Sequence, residues 1–353
     1  MNKPVMSPRA LLDQSQRGLD RQRYMIKHGA LAALLGSMAG AWHTALEPGA
    51  APPTRREIEG LRRSLEALFE ADLANVRDGI YPRALLHRFP TRRYLKQVVP
   101  EGLVEMGRIF ARRRRGACQD LPEGEDLSAY PAYYARNFHW QTDGWLSDRS
   151  ARYYDLSVEF LFGGTADIMR RMGIRPVVEG IAGVSRPRVL DLACGTGRFL
   201  AQLHEAVPRA RLYGLDLSPH YIRHARRALE RVDVGWLTEN AEAVPLDTGS
   251  MDCVTSVFLF HELPRDVRRR VMAEALRVVR PGGRFVIVDS AQLDAEGLAP
   301  FLERFPVLYH EPYYKSYLRD DLGAALAEVG FEGIESRTHF VSKVVVGVKP
   351  QAR

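Results

Sequence analysis

A glycine-rich turn that follows a short apolar strand constrains the fold of this chain more than any other feature. Residues 189–197 read Val-Leu-Asp-Leu-Ala-Cys-Gly-Thr-Gly, and a helical pattern follows them. Glycines let the backbone turn tightly and approach a ligand without a Cβ in the way. Asp216 lies 19 residues after Gly197, at the end of the next apolar segment, where a carboxylate can accept both ribose hydroxyl hydrogens. The segment therefore predicts a strand–turn–helix–strand unit that binds a nucleoside.

Short apolar segments alternate with helical patterns from about residue 150 onward. This alternation predicts a mainly parallel α/β sheet that helices cover on both faces. We predict strands over 188–192, 211–215, 235–237, 251–257, 284–288 and 340–348, and helices over 198–205, 219–231 and 265–279.

The first 130 residues have a different character and predict a helical extension of unknown role, followed by one domain over 131–353. A chain of 353 residues exceeds the length of one average domain. Leu61, Leu65 and Leu68 recur at spacings of three and four residues, which is the period of an amphipathic helix. Segment 116–130 contains glycine, proline and acidic residues, and we interpret it as the linker.

Two cofactor classes fit the turn and the acid, and one position separates them. A dinucleotide-binding motif needs Gly or Ala three residues after Gly197, and this chain has Leu200 there. S-adenosylmethionine carries no pyrophosphate, so its site can relax that requirement. Asp191 fits such a site as well, since an acid beside the turn can meet the ammonium group of the cofactor. A nicotinamide-dependent oxidoreductase is therefore the less favoured alternative to a methyltransferase.

Four sequence blocks follow one another in the order and spacing of the class I S-adenosylmethionine-dependent methyltransferases. They are VLDLACGTG, GLDLS, NAEAVPLDTGSMD and LRVVRPGGRFVIVD. Over about residues 150–349 the chain most resembles the family of ubiquinone and menaquinone biosynthesis C-methyltransferases. Ala-Arg-Tyr-Tyr-Asp at 151–155 is similar to the A-x-x-Y-D helix that lies over the cofactor in that family. The resemblance implies a Rossmann-like seven-stranded sheet that binds S-adenosylmethionine.

The resemblance also implies which residues bind the cofactor. Asp191 and the two glycines of the turn would line the methionyl part, Asp216 the ribose, and Leu217 the adenine. Asn240 stands where the family usually has Asp, and its amide oxygen can also accept the adenine amino hydrogens. Structural roles are the alternatives; Asp216, for example, could cap the helix that begins near Ser218. The predicted cofactor-binding residues are Tyr154, Asp191, Ala193, Gly195, Gly197, Asp216, Leu217, Asn240, Ala241 and Phe258.

The sequence defines the acceptor side of the site less closely. Methyl transfer is an in-line displacement at a sulfonium, and a base is needed only when the acceptor must lose a proton. His261 follows the fourth predicted strand, at the rim where the methyl group should emerge, and we predict it as the catalytic residue. The alternative is a histidine in the pocket wall, and His139 and His310 are weaker candidates for the base. The predicted acceptor is a small or lipid-like molecule that is methylated at carbon or oxygen.

No metal site and no nucleic-acid partner are predicted. Two His-Glu pairs, at 261–262 and 310–311, lack the second histidine of the H-E-x-x-H zinc motif, because Arg265 and Tyr314 stand there. The fourth strand ends in Phe-His-Glu-Leu rather than in the Asn/Asp-Pro-Pro-Tyr run of nucleobase methyltransferases, and no nucleic-acid-binding module precedes the domain. A non-catalytic, cofactor-binding scaffold for membrane or RNA is the alternative from another functional class.

Charge and cysteine content bear on the partners and on the compartment. The net charge of +7 fits solubility or an anionic partner. Residues 28–46 are uncharged but too weakly apolar for a membrane span, and with the arginine run at 112–115 they allow a peripheral membrane contact. The favoured interpretation is that the helix packs on the domain and that the arginines form a solvated helix end. Three cysteines without paired spacing fit a reducing cytoplasm, and the oligomeric state stays open.

Overall fold

The computed structural model describes residues 18, 21–34, 36–37, 40, 44, 53–87 and 92–351; the side chains of 92–103 and 307 are not part of that description. The helices are α1 (residues 21–34), α2 (Arg55–Arg77), α3 (Arg92–Arg115), α4 (Asp148–Leu161), α5 (Ala166–Arg171), α6 (Ile174–Gly180), α7 (Arg198–Ala206), α8 (Pro219–Ala228), α9 (Arg265–Val278), α10 (Ala299–Leu308), α11 (Tyr314–Tyr317) and α12 (Leu322–Val329). Short 3₁₀ turns occupy Arg83–His87, Leu127–Ala129, Phe138–Trp140 and Phe260–Glu262.

The strands form one mixed sheet. They are β1 (Arg188–Leu192), β2 (Arg211–Asp216), β3 (Val234–Thr238), β4 (Met251–Val257), β5 (Val279–Ser290), β6 (Glu332–His339) and β7 (Ser342–Val348). The seven strands are ordered β3-β2-β1-β4-β5-β7-β6. The strands from β3 to β5 run parallel, whereas β7 is antiparallel to both of its neighbours. The predicted α/β sheet with a helical N-terminal extension is confirmed.

Strand β6 is the one that the sequence pattern did not predict. It lies at the edge of the sheet, and most of its side chains are exposed. Residues that face solvent on both sides lose the apolar–polar alternation by which a strand is recognised. Its pairing with β7, in which Ser336 lies opposite Val345, provides the register instead. The buried strand β7 begins two residues later than the predicted segment 340–348.

The first strand–helix–strand unit packs as its apolar residues require. Leu190 is fully buried on β1, in register with Tyr213 of β2 and Val254 of β4. Leu200 on α7, at the third glycine position of dinucleotide motifs, is fully buried as well. A Cβ built on Gly214 of β2 would lie 2.9 Å from the Cδ1 atom of Leu200. The close approach of helix and sheet therefore comes from a glycine on the strand.

The N-terminal extension packs directly on the helices that cover the sheet. Leu68 of α2 belongs to the same apolar cluster as Met169 of α5. Beside them, Asp72 is fully buried and accepts a 2.9 Å hydrogen bond from Nε of Arg171. The hydroxyl of Tyr24 on α1 donates to the same carboxylate. A buried ion pair becomes costly when either partner is removed, so this contact fixes α2 against α5.

Among the residues described above, no helix is long and apolar enough to cross a membrane. The uncharged segment 28–46 lies partly outside these residues. Within it, His28 is buried, and its Nε2 atom lies 3.1 Å from the carbonyl oxygen of Leu86. Leu34, in contrast, is 60% exposed. One side of α1 therefore packs on the turn at Arg83–His87, while the other side presents apolar surface to solvent.

Candidate functional site

A cavity, which we call the first cavity, opens at the carboxyl ends of β1, β2 and β4. It encloses about 720 Å³, including space that is open to solvent. Strand β1 lies between β2 and β4, so the connection from β1 to β2 and the connection from β3 to β4 lead to opposite sides of β1. Open α/β sheets bind their ligands at such a crossover point. Seven predicted cofactor residues line the cavity: Tyr154, Ala193, Asp216, Leu217, Asn240, Ala241 and Phe258.

Asp216 places a carboxylate in the wall of this cavity at the end of β2. Its Oδ2 atom accepts a hydrogen bond from the backbone N–H of Gly195, and its Oδ1 atom accepts one from that of Ser218, both over 2.8 Å. Burial raises the pKa of Asp216 to about 6, although the two backbone donors favour the ionised form. A carboxylate has about four acceptor positions, so two stay available for ligand hydroxyls.

The glycine turn brings the backbone close to Asp216. The N–H of Cys194 donates to the carbonyl oxygen of Leu215 over 2.9 Å, which joins the turn to β2. Gly195 has a φ of +54°, and a Cβ there would project beside the ring of Tyr221 in the cavity wall, 4.0 Å from its Cδ1 atom. Gly195 itself does not line the first cavity, so its predicted contact with the cofactor stays a prediction.

Two other predicted cofactor residues lie behind the cavity wall. Gly197 has a φ of +76°, and a Cβ there would lie 3.0 Å from Leu229 and 3.2 Å from Ala225, so this glycine serves the packing of α8. Asp191 is buried within β1 and accepts a 2.8 Å hydrogen bond from the hydroxyl of Thr255. Burial raises the pKa of Asp191 to about 7. Both residues shape the turn, whereas their predicted contact with the methionyl group stays a prediction.

Asn240 follows β3 and is held by a neighbouring glutamate. Its Oδ1 atom accepts a hydrogen bond from the backbone N–H of Glu242 over 2.9 Å, and its Nδ2 atom donates to the Glu242 carboxylate over 3.1 Å. The hydroxyl of Tyr133 donates to the same carboxylate over 2.5 Å. These bonds fix the amide plane at the wall of the first cavity.

Aromatic residues that the sequence did not assign to the site cover the first cavity. Trp145 lies edge-on to Tyr154 and Tyr221, with ring centroids 5.4 and 5.9 Å apart, and Tyr154 and Tyr221 are 5.7 Å apart. Aromatic residues are frequent between positions 130 and 154, but such a composition fits a lid over a ligand and a packed core equally well. Nothing in the sequence marks Tyr221 as a site residue, because an aromatic side chain at this position of α8 looks like ordinary helix packing.

Residues 137–147, which we call the strap, carry Trp145 and His139 into the site. His139, Trp140 and Asp143 all have positive φ angles, which are uncommon for residues other than glycine. At Gly144 a Cβ would lie 2.3 Å from the carbonyl oxygen of Arg136, so no side chain fits there. Strained backbone conformations of this kind persist only where surrounding contacts hold them in place, and they cluster at functional sites.

The extension helps to hold the strap through Arg112, at the C-terminal end of α3. Arg112 is only 5% exposed and donates to the carbonyl oxygen of Trp140 over 2.8 Å and to the hydroxyl of Thr142 over 3.2 Å. The solvated helix end predicted for residues 112–115 is therefore wrong for Arg112, while Arg114 and Arg115 are exposed. A local run of arginines cannot reveal a carbonyl that arrives from a distant segment.

A second cavity, of about 490 Å³, lies next to the first and shares Tyr154, Phe258 and Glu262 with it. His261 lines this second cavity. Its Nδ1–H donates to Asp289 at the end of β5 over 2.7 Å. Burial alone would lower the pKa of His261, but the adjacent Asp289 carboxylate outweighs burial and raises it to about 9. The imidazole is thus fixed in orientation and favours its protonated form at neutral pH.

Comparisons with known proteins agree with this geometry. A family model described as a methyltransferase domain matches residues 189–283. The chain is 30% identical over 158 residues to a ubiquinone/menaquinone biosynthesis C-methyltransferase of Desulfotalea psychrophila, covering 45% of this chain and 62% of that protein.

Two further relatives are a demethylmenaquinone methyltransferase of Thermotoga maritima and an O-methyltransferase of Aspergillus nomiae. Both are 33% identical to the chain. The first match covers 49% of this chain and 69% of the relative, and the second covers 48% and 76%. The chain spans less than two thirds of the length of several other curated relatives that it matches, such as 60% of a demethylmenaquinone methyltransferase of Thermus thermophilus.

Proposed function

Because the chain belongs to the class I S-adenosylmethionine-dependent methyltransferases, we propose that it transfers a methyl group from S-adenosylmethionine to carbon or oxygen of a small or lipid-like acceptor. The observation that carries this proposal is the position of Asp216. Its buried carboxylate lines the first cavity at the end of β2, with acceptor positions to spare beside a glycine turn. No comparison favours a nicotinamide-dependent oxidoreductase or a scaffold.

The residues around the first cavity fit the cofactor of the family. Asp216 would bind the ribose hydroxyls, and the open space beside Gly195 would admit the ligand close to the backbone. Leu217 and Ala241 offer apolar surface for the adenine. The rings of Trp145 and Tyr221 offer the aromatic faces that attract cationic groups. S-adenosylmethionine, when bound, supplies a methyl group on a positively charged sulfur.

The second cavity is the proposed acceptor site. Most of the residues around it are apolar or aromatic, while Glu262 brings its carboxylate within 3.9 Å of both His139 and His261. Such a cavity suits a flat or greasy molecule that carries oxygen atoms at one edge. Three of the relatives above are named for ubiquinone, menaquinone or demethylmenaquinone and one is named an O-methyltransferase, which supports an acceptor of this class. Tyr154 and Phe258 stand between the two cavities and would align the acceptor with the methyl group.

We propose that His261 acts on the acceptor from the second cavity. With Nδ1 bound to Asp289, its Nε2 atom is the nitrogen left for the acceptor. The protonated imidazole that predominates at neutral pH would donate a hydrogen bond to an acceptor oxygen, and only the minor neutral form could receive a proton. We expect His261→Ala to lower the turnover rate about 100-fold while the affinity for S-adenosylhomocysteine stays unchanged. Steady-state kinetics and calorimetry on the same preparation measure the two quantities. Near-normal turnover would return His261 to a role in the cavity wall.

We also propose that α1 and the end of α3 contact an anionic membrane surface, from which a lipid-like acceptor would reach the site. Ile26 and Leu34 on α1 are 63% and 60% exposed, and Arg114 and Arg115 are exposed. Each basic residue near anionic lipid contributes about 1 kcal/mol. In a sedimentation experiment we expect the protein to pellet with anionic vesicles. The pelleted fraction should fall at high salt and after Arg114→Ala and Arg115→Ala. Protein that stays in the supernatant at low salt would remove this proposal.

Transfer of a labelled methyl group tests the proposed activity. The full-length protein, S-adenosylmethionine with tritium in its methyl group, and a cell extract are incubated together. We expect label in an acceptor that partitions into organic solvent, and at least about tenfold less label when Asp216→Asn replaces the wild type at a limiting cofactor concentration. A wild-type protein that transfers no label to any fraction would contradict the activity and favour the scaffold.

A further inference from the structure

Three side chains of metal-binding types meet beside the second cavity. The donor atoms of His139, Glu262 and Glu311 all lie within 4.8 Å of one another. The Nε2 atom of His139 is 3.0 Å from Oε1 of Glu311 and 3.9 Å from Oε1 of Glu262. Two carboxylates and one imidazole at these distances can share a single cation as ligands.

Glu311 provides an independent observation that points to a cation at this position. The residue is 3% exposed, and its side chain is completely inaccessible to solvent. Neither of its carboxylate oxygens receives a hydrogen bond from any residue that the structure describes. A buried carboxylate without a partner is costly, so native structures pair it with a donor or with a cation.

The three side chains arrive from separate segments, and backbone hydrogen bonds hold the segments that carry His139 and Glu262. His139 sits on the strained strap, where its backbone N–H donates to the carbonyl oxygen of His310 over 3.3 Å. Glu262 ends the 3₁₀ turn after β4, and the backbone N–H groups that begin this turn, including that of Phe260, donate to Asp289. Ligands that are positioned before binding are a general feature of functional sites.

We propose that His139, Glu262 and Glu311 bind one divalent transition-metal cation at the acceptor site. A mixed set of imidazole and carboxylate ligands suits Zn²⁺, Mn²⁺ or Fe²⁺, whereas Mg²⁺ and Ca²⁺ prefer oxygen ligands alone. His139 and Glu262 both line the second cavity. Three protein ligands leave at least one coordination position of the cation open toward that cavity.

The open position also suggests what the cation does, and this step rests on the proposed function. An acceptor that carries two neighbouring oxygen atoms, such as an enediol, a catechol or a hydroxyquinone, could bind the cation through both of them. Binding in this way would fix the acceptor at the end of the cavity where His261 lies. The cation is thus inferred to position the acceptor.

Zinc binding by the full-length protein tests the site without any cofactor or acceptor. Protein stripped with a chelator is titrated with Zn²⁺ by calorimetry, and we expect one equivalent to bind. Glu311→Gln and His139→Asn should each lower the affinity about 100-fold or more, since even changes behind the ligands of a metal cost about 10–100-fold. Asparagine is the conservative choice at 139 because it tolerates a positive φ.

Glu159→Gln is the matched control. Glu159 is also a buried glutamate with an unpartnered oxygen, but it lies on α4 beside Arg170. The Glu159→Gln variant should bind Zn²⁺ like the wild type. Zn²⁺ should raise the melting temperatures of the wild type and of Glu159→Gln, but not that of Glu311→Gln. A wild type that binds no Zn²⁺ and no Mn²⁺ would overturn the site and leave Glu311 as a protonated wall residue. Equal affinity for Zn²⁺ in the wild type and in all variants would place the bound metal elsewhere. Both of these results leave the transfer of label from S-adenosylmethionine untouched, so the metal site and the proposed activity are tested separately.

Discussion

The guanidinium of Arg112 donates a hydrogen bond to the backbone carbonyl oxygen of Trp140 over 2.8 Å. This bond joins the last turn of α3, in the N-terminal extension, to the strap that carries His139 and Trp145 into the two cavities. Nε of Arg112 also donates to Asp120 over 3.1 Å, ahead of the strap. The extension is therefore a support for the site as well as a cover for the sheet.

Replacement of Arg112 should loosen the strap. In Arg112→Met the carbonyl of Trp140 loses a buried donor, and an unsatisfied buried group of this kind costs about 1–3 kcal/mol. We expect the free energy of unfolding in urea to fall by that amount and the affinity for S-adenosylhomocysteine to fall with it. Arg114→Met, two residues on at an exposed position, is the control and should change neither. Equal effects of the two substitutions would contradict this role of Arg112.

A pair of glycines separates backbone strain from loss of ligand space. Gly195 and Gly183 have φ angles of +54° and +79°, and in the described part of the chain a Cβ would meet no atom closer than 4.0 Å at either. Alanine at each position should cost about 1–2 kcal/mol of stability, because L-residues disfavour this conformation. Only Gly195→Ala should weaken the binding of S-adenosylhomocysteine, since only its methyl group would lie beside Tyr221, a residue that lines the first cavity. Unimpaired binding by Gly195→Ala would show that the ligand does not approach this turn.

Cofactor affinity should depend on pH through Asp216. Burial raises the pKa of this carboxyl to about 6, so at pH 5 about nine tenths of the unliganded protein carries a proton there. The ligand hydroxyls need the carboxylate as acceptor, so the affinity for S-adenosylhomocysteine should fall about tenfold between pH 7 and pH 5. The raised pKa favours the protonated carboxyl in the folded state, so this group does not unfold the protein on acidification. Calorimetry at pH 7 and at pH 5 measures the affinity for S-adenosylhomocysteine. An affinity that stays constant down to pH 5 would contradict a raised pKa at Asp216.

The sequence predicted those parts of the site that depend on local geometry. The sequence placed Asp216 beside the glycine turn because a strand, a tight turn and a second strand bring them together whatever the rest of the chain does, and the structure joins them by a hydrogen bond from Gly195. The parallel strands were found for the same reason, from apolar runs that alternate with helices. Edge strand β6 was missed because its exposed residues carry no such pattern.

Contacts between distant segments were beyond the sequence. Glu311 and His139 are far apart in the chain, and only the fold brings their side chains to 3.0 Å. His261 was predicted at the rim of the cofactor site, and the structure places it in the neighbouring second cavity. No spacing rule links such residues, because the strap and the loop before α11 pack side by side only in the folded chain.

Calorimetric titration of the wild type and of Asp216→Asn with S-adenosylhomocysteine tests the central claim most directly. Each charged hydrogen bond that is lost costs about 1.5–3 kcal/mol, so the variant should bind at least about tenfold more weakly. Asp252→Asn is the control, because Asp252 lies at the opposite end of the parallel strands and should leave binding unchanged. We predict that the wild type binds one equivalent of S-adenosylhomocysteine and no NADH. Equal affinity of wild type and Asp216→Asn, or binding of NADH in place of S-adenosylhomocysteine, would contradict the account.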